Sequence, residues 1–260
     1  MLCHFTFESQ TGLPVKTYPA NPEEGFSFFL RGRLHTELPE LAKTENRAAA
    51  AIFGLPDRRQ NFTIPSDFML LHAWFQPGAL FKFLRIPMTD LLHQAIDAEL
   101  IWGRDIRSLH DQLANTPDYD ALPRILDAFF WKKANQLKND RRSVDEIGRA
   151  IFDNPGGFNL DKMAANACLS HRAFERRFMQ QIGVTPKYFA RICRFWKAFQ
   201  LKESQPDLDW LSVAVLNGYT DYQHLVRDFR QFAGTTPVSL MQQSSQDPEQ
   251  LLKIRPEFRY

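Results

Sequence analysis

The chain has 260 residues, 24% of them charged, 44% hydrophobic, and a formal net charge of +2. That length holds two or three small cores rather than one, and no apolar run approaches the ~20 residues that cross a bilayer. The start, Met1-Leu2-Cys3-His4-Phe5-Thr6-Phe7, has neither a basic n-region nor a sustained apolar h-region, so a soluble protein with no export signal and no membrane partner is predicted. Three cysteines, Cys3, Cys168 and Cys193, form no C-x-x-C pair, which argues against a disulfide scaffold or a structural zinc site and fits a reducing cytoplasm.

Residues 1 to 88 read as short strands with Pro/Gly breaks. Phe26, Phe28 and Leu30 alternate with Ser27, Phe29 and Arg31, and the apolar run Phe68 to Phe75 stops at Gln76-Pro77-Gly78. From Pro87 the spacing turns helical. Thr89 or Asp90 is placed to cap a helix that buries Leu91, Leu92, Ala95, Ile96 and Leu100 and ends at Gly103, and a second helix is predicted over 105–114. Leu122, Ile125, Leu126, Phe129, Phe130 and Leu137 continue the helical period as a broad stripe, suited equally to a homodimer contact and to covering the strands. The polar stretch from Asn135 to Ser143 reads as a linker. Beyond it, Ser143-x-x-Glu146 has the form of a capping box, and Pro155-Gly156-Gly157 ends that helix.

The next hundred residues contain a repeat. Cys168-Leu169-Ser170 opens a segment through Phe174, Arg176, Phe178 and Gly183 to Pro186, and Gly218-Tyr219-Thr220-Asp221 opens its counterpart through Leu225, Arg227, Phe229 and Gly234 to Pro237. Each copy reads as a short helix, a tight turn and a second helix with a polar face, the layout of a DNA-reading helix-turn-helix. A long helix from Pro186 to Lys202 is predicted between them as a rigid spacer. Charge is uneven across the repeat. Lys162, Arg172, Arg176, Arg177, Lys187, Arg191, Arg194, Lys197 and Lys202 against Asp161 and Glu175 give residues 159–202 a net +7. Arg227 and Arg230 against Glu203, Asp207, Asp209, Asp221 and Asp228 give residues 203–243 a net −3. The first half, long helix included, therefore has the footprint of a phosphate-binding surface. The acidic second half is a weaker binder on charge alone, and part of it is open to contact with protein instead.

The run Met163-Ala164, Leu169-Ser170, Arg172, Phe174, Arg176, Phe178, Gly183-Val184-Thr185-Pro186, Phe189, Arg191, Arg194, Ala198 and Leu201, then Val213-Ala214, Gly218-Tyr219, Leu225, Arg227-Asp228-Phe229, Gly234 and Thr236-Pro237, closely resembles the AraC/XylS family of bacterial transcription regulators. Residues 19–103, especially Pro22-Glu23, Phe53-Gly54, Phe75-Gln76-Pro77-Gly78-Ala79-Leu80 and Leu84-x-Ile86-Pro87, resemble the small N-terminal domain of some members. The resemblance implies an α+β chain: a β-rich N-terminal regulatory or oligomerisation domain with helices over 1–138, then an all-α DNA-binding domain over 139–243 with two helix-turn-helix motifs joined by a long helix, and a flexible tail over 244–260. It implies two reading helices, Ser170 to Ile182 and Asp221 to Phe232, in consecutive major-groove segments of double-stranded DNA. An effector of unknown identity and a homodimer are the further partners it implies, and RNA polymerase is the partner of the docking alternative given below.

On the first helix Ser170 and His171 stand at the start, and Arg172, Glu175 and Arg176 share a face at i, i+3 and i+4, with Phe174 and Phe178 turned inward. Arginine suits bidentate contact with guanine and Glu175 suits cytosine N4, although Glu175 pairing with either arginine on a solvated face is equally open. On the second, Tyr222, Gln223, His224 and Arg227 are outward, Gln223 suited to adenine and Arg227 to guanine or phosphate. Lys187 at the start of the long helix is placed for phosphate. Cys168 departs from the family at its turn glycine; a cysteine at positive φ costs about 1 kcal/mol or more.

No histidine pair has a metal-ligand spacing, and no P-loop, G-x-G-x-x-G or G-x-S-x-G is present, so no cofactor and no catalytic residue is predicted. Two rival readings stay open: a protein-interaction module docking on the transcription machinery, and an N-terminal enzyme fused to a DNA-binding domain. Related repair proteins use a four-cysteine zinc site, whereas the N-terminal part here has Cys3 alone.

Overall fold

The computed structural model describes residues 1–6, 15–137 and 143–245. Residues 138–142 of the expected linker and 246–260 of the expected tail lie outside them, as does the side chain of the expected cap Ser143. Among the described residues nine strands and eleven α-helices follow in chain order.

The N-terminal part is two antiparallel sheets. The larger, in the order β1 (Leu2–Thr6), β8 (Asp67–Phe75), β3 (Glu24–Arg31), β6 (Ala50–Phe53) and β9 (Ala95–Asp97), is built on the two strands that the alternation marks. The smaller runs β2 (Lys16–Tyr18), β7 (Gln60–Thr63), β4 (His35–Leu38) and β5 (Lys43–Asn46). Because side chains alternate along a strand, the larger sheet has two apolar faces. Phe26, Phe28, Ile52, Met69 and Leu71 pack against α1 (Ala79–Leu84), α3 (Arg104–Ala114) and α4 (Ala121–Ala134) through Leu80, Leu84, Ile106, Leu109, Leu113, Leu122 and Leu126. Phe29, Ala51 and Phe68 face the smaller sheet and form a second, smaller core with Leu34 and Ile64.

One open alternative is decided and one expectation changes here. The stripe on α4 covers the larger sheet: Leu122 and Leu126 are buried, with Ile125, Phe129 and Phe130 packed against the same core. The helix expected from about 90 to 103 does not form. Met88–Leu91 is a single 3-10 turn, Ala95–Asp97 adds β9 to the edge of β6, and only Glu99–Trp102 (α2) is helical, with Leu100 exposed. An open edge of β6 offers backbone partners to that segment, and this outweighs its local helical spacing.

The C-terminal part is helical: α5 (Ser143–Asp153), α6 (Leu160–Asn166), α7 (His171–Ile182), α8 (Pro186–Ser204), α9 (Trp210–Leu216), α10 (Tyr222–Ala233) and α11 (Pro237–Ser244). Its core gathers Phe174 and Phe178 of α7, Phe189, Phe195 and Trp196 of α8, and Leu225, Phe229 and Phe232 of α10. Ala20 and Leu55, from the loops that follow β2 and β6, belong to that same core. No described helix is long and apolar enough to cross a membrane.

Candidate nucleic-acid interface

The repeat in sequence is a repeat in capping. Asn159 accepts from the Lys162 N–H to start α6, and Asp209 accepts from Leu211 and Ser212 to start α9. Ser170 accepts from the Ala173 N–H at α7, and Asp221 from the His224 N–H at α10. Thr185 starts α8 and Thr236 starts α11 in the same way. These side-chain oxygens satisfy helix N–H groups that have no intrahelical partner, so each helix begins at a set residue. Hydrogen bonds from Ser212, its hydroxyl first, hold the Asp209 carboxyl below its ordinary range, and the His224 N–H does the same for Asp221. The turn between helices has positive φ in both copies, 53° at Cys168 and 74° at Gly218.

Each turn aims its second helix outward. On α7 Ser170, His171, Arg172 and Arg176 are exposed and Glu175 is half-buried, above the buried Phe174 and Phe178. On α10 Gln223, His224 and Arg227 are exposed and Tyr222 is half-buried, above Leu225 and Phe229. Among the described residues no ion pair joins Glu175 to Arg172 or Arg176. His171 Nε2 instead lies 3.0 Å from Asp161 Oδ1, and His224 Nδ1 lies 2.9 Å from Asp221 Oδ2. Arg227 turns back, its Nε donating to Gln223 O at 3.4 Å. Lys187 is exposed at the start of α8. Lys162 and Arg177 are exposed cations on the same half, visible in sequence only as part of its charge.

The long helix does something other than expected. Arg191 donates to Asp228 Oδ1 at 2.6 and 3.2 Å and to Gln231 Oε1 at 2.6 Å, and its guanidinium stacks over Tyr188 and Phe232. The Tyr219 hydroxyl donates to the other oxygen of Asp228 at 3.2 Å, and burial, followed by the charge of Asp228, pushes that phenol up. Arg194 donates to Gly218 O at 3.1 Å and lies over the Tyr219 ring. Lys197 donates to Asp153 O, and Lys202 to Pro206 O and Leu208 O, all at 2.6 Å. Four cations counted as phosphate ligands are thus internal ties that hold α8 to the helices around it. The exposed cations of this half are Lys162, Arg172, Arg176, Arg177 and Lys187, all outside the middle of α8. The contrast between +7 and −3 is correspondingly smaller at the surface, since Asp228 and Arg191 neutralise each other inside.

The loops of the N-terminal part touch this unit where the outward helices end. The N–H of Ala20 donates to Phe232 O at 2.9 Å, in the last turn of α10. Gly234, which ends α10 at φ 67°, lies so close to Arg59 that a Cβ there would sit 3.0 Å from the guanidinium carbon. Gly183 ends α7 at φ 96°, and its Cβ would lie 3.1 Å from Met88 O. The N-terminal ends of α7 and α10 carry the exposed polar residues, and their C-terminal ends are docked.

A helix-turn-helix domain model matches residues 163–243. The HTH-type transcriptional regulator MtrA of Neisseria gonorrhoeae is 31% identical over 98 residues, 38% of this chain and 32% of that protein, so the match spans about a third of the relative's length. ToxT from Vibrio cholerae shares the fold over 94% of this chain and 98% of its own at 10% identity and a TM-score of 0.53. ToxT bound to (E)-4-(8-methylnaphthalen-1-yl)but-3-enoic acid aligns over the same shares at 7% identity and a TM-score of 0.54. Residues 163–243 thus form a helix-turn-helix domain, and the tandem motifs, that domain and the shared two-part architecture together support the resemblance to the AraC/XylS family of transcription regulators.

Proposed function

We propose that this protein is a cytoplasmic, non-catalytic regulator that reads double-stranded DNA with α7 and α10 and is modulated by its N-terminal part. The domains would be 1–138 for regulation, 139–243 for DNA binding and 244–260 as a tail. The observation that carries the reading is the paired geometry of α7 and α10: each is capped at an exposed N-terminal end that bears base-reading side chains, and each is docked at the other end. Recognition helices present their N-terminal residues to base edges in this way. Arg172 and Arg176 would take guanine, Glu175 cytosine N4, Gln223 adenine and Arg227 guanine or phosphate. Ser170, His171, Tyr222 and His224 border those contacts. Lys187, Lys162 and Arg177 would hold phosphates. The ligand in the ToxT structure supports a small-molecule effector for the N-terminal part.

A protein partner is favoured at one place. Leu211, Val215 and Leu216 on α9 are 59–68% exposed beside the acids Asp207 and Asp209, a face suited to RNA polymerase or another protein with a basic apolar surface. Homodimerisation would use the outer side of α4, where Trp131 is 70% exposed, rather than the buried stripe.

The test is selection of sites from random DNA followed by titration of two variants. Arg176→Ala is expected to lose ~1–3 kcal/mol on the selected site and to relax the preference at one position. Lys187→Ala should weaken all sequences alike and reduce the salt slope by ~0.9. Unchanged site selection and affinity in Arg176→Ala would remove α7 from the reading surface.

A further inference from the structure

The N-terminal part holds the last turn of α10 from one end of a single strand pair. Tyr18 and Gln60 are the final partners of β2 and β7. Two residues beyond Tyr18, the Ala20 N–H donates to Phe232 O at 2.9 Å. One residue before Gln60, Arg59 lays its guanidinium on Gly234, where a Cβ would sit 3.0 Å from Cζ and Nη1 and 3.2 Å from Nε. Earlier in the same loop, Asp57 O accepts from the Tyr188 hydroxyl at 3.5 Å, and that hydroxyl accepts from Gln231 Nε2 of α10 at 3.2 Å.

Arg59 differs from its neighbours in having no acid. Asp57 is met by Arg58 and His93, and Glu40 by Arg58. Among the described residues no carboxylate pairs with Arg59, although the side chain is half-buried and its Nε is buried with no hydrogen-bond partner. A guanidinium so placed bears a desolvation cost that another group must offset. What faces it is the C-terminal end of α10. The last carbonyls of a helix carry partial negative charge, which favours a cation there. Two more cations stand at this end, but Arg230 is exposed and Arg191, stacked on Phe232, is neutralised by Asp228. The end of α7 has no counterpart: Gly183 meets the carbonyl of Met88 and the side chain of Leu92, neither of them a cation.

We propose that Arg59 is a positioning residue through which the N-terminal part aims α10: its charge on the end of the helix fixes how that helix sits, and so how sharply Gln223 and Arg227 read. The proposal rests on the reading of α10 as a DNA-contacting helix. Arg59 would act without touching DNA, because α10, about 18 Å long at 1.5 Å per residue, separates it from the exposed N-terminal end.

Arg59→Met removes the charge and keeps an apolar stem, Arg59→Lys keeps the charge, and both are compared with the unmodified full chain in two measurements. In amide hydrogen exchange without DNA, Arg59→Met should speed exchange in the last turn of α10 by about fivefold and leave the last turn of α7 unchanged, while Arg59→Lys should restore most of the protection. In site selection from random DNA, Arg59→Met should relax base preference by about fivefold in the half of the site that Gln223→Ala also alters, and spare the half that Arg176→Ala alters. Unchanged exchange in α10 overturns the proposal. So does exchange that speeds equally throughout the chain, relaxation of both halves alike, or a loss in Arg59→Lys as large as in Arg59→Met, since each would make Arg59 a packing residue only. Should the unmodified chain select no sequence, the reading of α10 falls, and the exchange data alone decide whether the charge of Arg59 holds the helix.

Discussion

Replacing Arg191 separates an internal tie from a phosphate ligand. Asp228 is 5% exposed, and its carboxylate is met by two N–H donors of Arg191 and by the Tyr219 hydroxyl. Arg191→Met keeps the aliphatic stem but leaves that carboxylate inside with a single neutral donor. Removing one partner of a buried pair costs about 3–5 kcal/mol. The Arg191 side chain is 30% exposed, so water reaches the gap and the lower end applies. Loss of its stacking on Tyr188 and Phe232 adds about 0.5–1 kcal/mol. A total near 3–4 kcal/mol is a large part of the ~5–15 kcal/mol that keeps a domain folded. Asp228→Asn on top of Arg191→Met should return about 1–2 kcal/mol by removing the stranded charge. Urea titrations followed by circular dichroism and tryptophan fluorescence measure both, and DNA titrations at several salt concentrations complete the comparison. If Arg191→Met lost under about 1 kcal/mol of stability while its DNA salt slope fell by ~0.9, the side chain would be a phosphate contact and the internal-tie argument would be wrong.

Burial pushes Glu24 up to about 8, against smaller opposing effects from the N–H groups of Gly78 and Leu80. The unfolded chain ionises this group above about 4.5 and the folded chain keeps its proton to about 8, so the folded state loses stability as pH rises across that interval. Glu24→Gln, which keeps the acceptor on Gly78 N–H, should therefore stabilise the protein by an amount near zero at pH 4, growing to a few kcal/mol at pH 8; a gain independent of pH in urea melts would contradict the assignment. Cys168→Gly should stabilise by about 1 kcal/mol, because φ is 53° there and the second copy has glycine at the same turn. A thermal melt showing a loss instead would mean that the cysteine side chain makes a contact worth more than the strain.

The helix-turn-helix repeat is legible because its determinants are local: Ser170, Asp221, Thr185 and Thr236 cap over three residues, and Gly183 and Gly234 stop helices where they stand. The exposed faces of α7 and α10 follow from the same spacing. The segment after Pro87 misleads because Leu91, Leu92, Ala95 and Ile96 have helical spacing, while the decisive partner is the distant edge of β6. On α8, composition counts the charge of Arg191, Arg194, Lys197 and Lys202 but does not say where their long side chains end. The stripe on α4 suits two partners equally in sequence, and the larger sheet takes it.

A rigid rod such as α8, about 28 Å long at 1.5 Å per residue, sets the distance between the objects at its ends but leaves each free to swivel. The β-rich part touches the far ends of α7 and α10 at Gly183, Gly234 and Phe232, and so closes a triangle whose third side removes that swivel. Two probes on a three-point mount have one pitch and one phase. Their mutual orientation is settled when the chain folds, so on the proposed reading a DNA target with matching groove spacing would meet them without further ordering. On the proposed reading a mismatched target would first have to pull Ala20 from the end of α10, which would turn spacing itself into a quantity the protein measures.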